Sequence, residues 1–174
     1  DAKVGAEGFG QRLRAGVAVF EGKRADVGLA VEELAGDVFQ TQTAQVGPVS
    51  DAVGRIDLAI VSDAARTLQT LAGLKSGGLE VGRVLEEREL YVADWRGLID
   101  LLNEHPRGEE TALVLGHEPT ISLAARMLAS GGLSARTDFG FGFSTAMAVA
   151  GTVPAWGGVA AGDLRVERVL RPSA

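Results

Sequence analysis

The sequence predicts an α/β domain, and two stretches of chain predict it. Ala112, Leu113, Val114 and Leu115 make a short apolar run, entered from the polar Glu109, Glu110 and Thr111 and broken by Gly116 and His117, after which Pro119 suits the first turn of a helix. Residues 56–61 repeat the arrangement: a β-branched apolar run gives way to Ser62 and Asp63, either of which can cap a following helix whose apolar stripe is Leu68, Leu71 and Ala72. Each stretch reads as a buried strand feeding a helix, the unit from which parallel sheets are built. A chain of 174 residues fits one such domain with a substantial core.

The remaining elements follow in order. Residues 1–14 are glycine-rich and weakly patterned, and read as a loop; Gly5, Gly8 and Gly10 have neither the preceding strand nor the final glycine of a dinucleotide loop. Gly16, Val17, Ala18, Val19 and Phe20 are the candidate first strand. Residues 29–46 carry Val31, Leu34, Ala35, Val38 and Val46 at helical spacing, weakened by Gly36 and ended by Pro48. After the second helix, Lys75 to Gly78 form a turn and residues 81–85 a short strand, and the charge run Glu86, Glu87, Arg88, Glu89 leads into Leu90 and Tyr91. Trp95, Leu98, Ile99, Leu101 and Leu102 give an amphipathic helix over 94–103, with Asp94 at its positive end and His105 near its close. Ile121, Ala124, Ala125 and Leu128 continue an apolar helical face until Gly131 and Gly132 stop it. The aromatics Phe139, Phe141 and Phe143 lead into a penultimate strand, and Trp156, Gly157 and Gly158 connect to a last strand at 164–170. There are no internal repeats and no linker dividing two domains.

Composition narrows the function. A formal charge of −6 and a pI near 5.0 argue against a broad nucleic-acid-binding face, although a small cationic pocket can exist within an acidic protein. There is no cysteine, so no disulfide and no thiolate nucleophile, and two histidines far apart in sequence give little basis for a metal site. No cofactor is expected. No apolar segment approaches a membrane span and no signal-like start is visible, so a cytoplasmic protein with no membrane partner is expected.

The two strand-to-helix junctions carry the chemistry. In an open α/β sheet, ligands collect outside the carboxyl ends of the strands, where unpaired amides and the positive helix end favour an anion. His117 stands at one such end and can donate a hydrogen bond; Arg66 falls in the first helical turn of the other, and helical side chains lean toward the amino terminus. Its planar fork suits phosphate oxygens. Arg66 could instead pair with Asp63, three residues earlier, and His117 could be a structural histidine tying a loop to the backbone. Two junctions of the same kind favour phosphate handling.

Ser62, Arg66, Thr67, Gln69 and Thr70 resemble the S-x-x-x-R-T-x-Q-T block of the histidine phosphatase superfamily, in its SixA-like phosphohistidine phosphatase branch. Leu90 and Tyr91, the helix over 94–103, and residues 113–120 resemble that branch's L-Y segment and L-V-G-H-N-P-T block, in the same order and at similar spacing; residues 143–149 and 165–172 resemble its last two strands. The resemblance covers roughly residues 57–172. It implies a single domain over 1–174, a phosphoglycerate mutase-like three-layer α/β/α sandwich around a mostly parallel sheet, and a pocket in which Arg66, His117 and Ser62 meet a phosphoryl group. An acidic residue before Tyr91 protonates the leaving group in the wider superfamily, which points to Glu87, with a solvated charge run as the alternative. The superfamily's nucleophile is the histidine of an R-H pair ending the first strand; here Phe20 and Glu21 stand in those places. A carboxylate there would repel a phosphate dianion, and loss of the arginine removes a contact worth ~1.5–3 kcal/mol. Two functions follow. One is a phosphatase acting on a phosphohistidine protein or a phosphorylated small molecule; the other is a catalytically impaired relative that binds phosphate, a phosphorylated ligand or a protein partner.

Overall fold

A computed structural model of the chain describes residues 15–22, 55–131, 143 and 147–170. The glycine-rich start, the helix expected over 29–46 and the aromatics Phe139 and Phe141 lie outside the described residues. Within them the elements run β1 (Ala15–Gly22), β2 (Arg55–Val61), α1 (Ala65–Ser76), β3 (Glu80–Glu86), a 3₁₀ turn (Arg88–Tyr91), α2 (Trp95–Glu104), β4 (Thr111–His117), α3 (Thr120–Leu128), β5 (Ala148–Val153) and β6 (Arg165–Leu170). The fold is mixed α/β, as the two junctions predict.

The strands form one sheet in the order β3-β2-β4-β1-β5-β6. β2 is parallel to β3 and to β4, the arrangement that helical crossovers require. β1 is parallel to β5 but antiparallel to β4, and β6 returns antiparallel along β5 through the connection that holds Trp156. Residues 58 and 60 of β2, with 112 and 114 of β4, face the cluster that contains Leu98, Leu102, Ile121, Ala125 and Leu128 of α2 and α3. Residues 59 and 61, with 113 and 115, face Leu71 and Leu74 of α1. The period-two alternation of these strands thus buries both faces under helices, which is why they read as unbroken apolar runs.

Three local expectations need correction. The buried stripe of α1 is Thr67, Thr70, Leu71, Gly73 and Leu74, while Ala72 is exposed. Threonine can line a core here because each hydroxyl is satisfied by a nearby carbonyl: Thr67 lies 2.7 Å from the Ser62 carbonyl and 2.6 Å from that of Ala64, and Thr70 donates to Arg66 at 2.9 Å. Neither Ser62 nor Asp63 caps α1, whose cap position is Ala64, and Pro119 stands at the cap of α3 instead of inside its first turn. By contrast Asp94 caps α2 as expected, accepting from the amides of Arg96 and Gly97 at 3.0 Å each. These two bonds, Gly97's first, hold its carboxyl below the usual carboxylate range.

The largest correction concerns β1. Its antiparallel register against β4 sets Ala15 beside His117 and Glu21 beside Thr111. The carboxyl end of β1 is therefore at the end of the sheet opposite His117, six strand residues or roughly 20 Å away at ~3.3 Å per residue. The apolar run at 16–20 identifies a strand, but apolar alternation looks the same in either direction, so it carries no information about polarity.

Candidate functional site

The site forms where β2 and β4 end side by side. The amide of Ser62 donates to Leu115 at 2.9 Å, continuing the ladder one residue beyond β2 and bringing Ser62 level with the end of β4. Gly116 leaves room for α3 to close over that end: a Cβ there would stand 3.0 Å from the Ile121 Cδ1 atom. Arg66, the second residue of α1, leans back over the strand ends. Its guanidinium turns to His117 and not to Asp63, with Nε at 3.1 Å and one terminal nitrogen at 2.7 Å from Nδ1 of the imidazole.

This contact fixes the tautomer. A guanidinium only donates, so Nδ1 of His117 accepts, and the ring proton must sit on Nε2. Nε2 stands 2.8 Å from Oγ of Ser62 and donates to it. The imidazole is 6% exposed. Burial, and after it the Arg66 charge, push its pKa from 6.5 down to about 4 against an opposing pull from Asp63, so the ring is neutral near pH 7. Ser62 is fully buried. It faces an N–H and not a lone pair, which excludes it as a nucleophile activated by His117. Its hydroxyl accepts from the imidazole and holds the ring in place.

Two helices begin at this point, and neither α1 nor α3 has an acidic residue in its first turn or a side-chain cap. Their positive ends are thus not neutralised from within the helix. The 3₁₀ turn adds the outer wall. The Tyr91 ring meets the imidazole at a centroid distance of 5.0 Å and an interplanar angle of 70°, and the guanidinium carbon of Arg66 lies over the same ring at 5.5 Å. Asp63, Ala64, Arg88, Glu89, Tyr91 and Val92 line an open cleft of about 810 Å³, which shares Tyr91 with this group.

Solved structures share this architecture. The chain matches the structure of a SixA protein from Nakamurella multipartitia, assigned as a phosphohistidine phosphatase, over 92% of its own length and 98% of that chain, with a TM-score of 0.68 and 24% identity. It matches a SixA from Agrobacterium tumefaciens with the same assignment over 77% of its length and 80% of that chain, with a TM-score of 0.60 and 20% identity. The chain has the SixA fold. No family model and no curated protein sequence matches it.

On this SixA fold, Arg66 and His117 meet across 51 residues of chain, Ser62 joins them through the imidazole, and the two acidic candidates, Glu87 and Glu21, do not. Glu87 continues β3 by donating its amide to Val61 at 2.7 Å, but its carboxylate turns to His105 at 3.5 Å, and Glu89 lines the cleft in its place. His105 caps the far end of α2. Glu21 is at the other end of the sheet, as its register shows. Sequence reasoning named Tyr91 only as part of a matched segment. The available signal was an aromatic beside a buried leucine in an otherwise charged run; Leu90 is 1% exposed, and Tyr91 beside it is 49% exposed.

Proposed function

We propose that the chain is a SixA-like phosphohistidine phosphatase, acting on a phosphorylated histidine of a protein or on a small phosphomonoester. The observation that carries this reading is the Arg66–His117 contact at 2.7 and 3.1 Å, made at the junction of two parallel strands and two helix amino termini. A guanidinium fork and open helix ends are what a phosphoryl group requires. The assignment of the similar SixA structures as phosphohistidine phosphatases then supplies the substrate class. Arg66 binds and orients the phosphoryl oxygens and stabilises the charge that spreads over them during transfer. His117, held by Ser62, presents Nδ1 on the same side, so a phosphoryl group entering between the two side chains meets both. A covalent intermediate on a second imidazole has no candidate among the described residues, because His105 is paired with Glu87 at the far end of α2.

Hydrolysis of a phosphohistidine protein and of an aryl phosphate, measured beside Arg66→Ala and His117→Ala, tests the proposal. The expected result is phosphate release by the parent, reduced at least about 100-fold in each variant. Turnover that survives both substitutions overturns it. No turnover, together with phosphate raising the melting temperature of the parent and not of the variants, would leave a phosphate-binding protein in its place.

A further inference from the structure

Tyr91 is a large ring left half open beside a buried imidazole. Its 49% exposure is accompanied by 81% for Val92, so the lip of the cleft is apolar where it adjoins Arg66 and His117. The segment is not loosely held. Leu90 is anchored in the core at 1% exposure, the amide of Ala93 donates to Glu89 at 2.8 Å, and Thr120 at the start of α3 donates its hydroxyl to the Ala93 carbonyl at 2.7 Å. A ring presented on a fixed support loses little freedom on stacking, which makes it an effective recognition surface.

We propose that Tyr91 selects the ligand by what the phosphoryl group is attached to, favouring a planar ring such as an imidazole or a phenol. The inference rests on the phosphoryl site proposed above. A phosphoryl group at Arg66 places its ring substituent one bond away for an imidazole and two for a phenol, toward the cleft that Tyr91 and Val92 line. Asp63 and Glu89 on the same cleft, against the single cation Arg88 among its described lining residues, disfavour further negative charge on that substituent. The ligand is thus a singly phosphorylated ring and not a nucleoside polyphosphate.

Calorimetric titration of the full chain with phenylphosphonate and methylphosphonate, which share a head-group and differ by the ring, tests this. Phenylphosphonate should bind about five- to tenfold more tightly to the parent. That ratio should fall below about twofold in Tyr91→Leu and Tyr91→Ala and persist in Tyr91→Phe. If Tyr91 only shields Arg66, both affinities change together in the variants and the ratio stays, which overturns the proposal. A parent with no ring preference but Arg66-dependent binding of inorganic phosphate overturns it and leaves the phosphoryl site intact. No binding of either phosphonate or of phosphate removes both.

Discussion

His117 is a neutral imidazole with its lone pair turned toward a cation, and this has measurable consequences. The unfolded ring takes up a proton near pH 6.5 and the folded ring only near pH 4. Between those values the unfolded state binds more protons, so stability is fully present above about pH 6.5 and is lost as pH falls toward 4. Denaturation of the parent and His117→Gln between pH 7 and 4 should show the part of the slope due to His117 vanish in the variant. Anion binding has the opposite linkage. A dianion between Arg66 and Nδ1 needs a donor at Nδ1, so the ring must gain a proton when the anion enters. Sulfate, which does not titrate near neutrality, should bind with uptake of up to one proton, tightening by up to about tenfold per unit as pH falls from neutrality toward about 4. Titration in buffers of different ionisation enthalpy measures this, and His117→Gln should abolish it. Arg66 and His117 were legible in the sequence because the first opens the helix after a strand, and the second ends a strand, that is apolar enough to be recognised. The role of Ser62 was not, since its partner lies 55 residues away; nor was the turn of Glu87 toward His105, which depends on where α2 ends.

At the scale of elements, the sheet is held at the end away from the site by Asp57 and Thr111. Asp57 accepts from the amides of Glu110 and Thr111 at 3.1 and 3.2 Å, and its own amide donates to the Thr111 hydroxyl at 2.7 Å, fastening β2 to β4. At the other side β5 and β6 slip register between Ala150 and Gly151. There a Cβ on Gly151 would stand 2.2 Å from the carbonyl oxygen of Arg165, a backbone atom that cannot rotate away. Gly151→Ala should therefore destabilise the chain by about 1–3 kcal/mol, read by denaturant unfolding, while leaving the spacing of Arg66 and His117 untouched. Helix and strand positions in this half of the chain followed from periodicity to within a few residues. The buried face of α1 did not, because Thr67 and Thr70 count as polar in a pattern and become core only once their hydroxyls find carbonyls.

For the whole molecule the decisive quantity is strand direction. β2, β3 and β4 run parallel because helices separate them, and their carboxyl ends gather Ser62, the 3₁₀ turn and His117 at one edge. That much could be read from alternating strand and helix patterns. β1 enters beside β4 in the opposite sense, and nothing in Val17, Ala18, Val19 and Phe20 encodes the sense. A first strand parallel to β4 would deliver Glu21 to the phosphoryl site; the observed one puts its backbone in register with Thr111, at the end where Asp57 fastens the sheet. The two arrangements predict different results for one substitution. Glu21→Gln, which removes the charge and keeps the shape, should leave phosphate affinity within about twofold of the parent, because its backbone position is roughly 20 Å from His117 along the strand, well beyond the ~8 Å screening length of physiological salt. Had Glu21 stood in the nucleophile's place, removal of its negative charge would tighten binding of a phosphate dianion markedly, by at least about tenfold for a contact repulsion of 1.4 kcal/mol. Phosphate titration of the two proteins at physiological ionic strength distinguishes the outcomes, and a large gain in Glu21→Gln would overturn the antiparallel placement of β1.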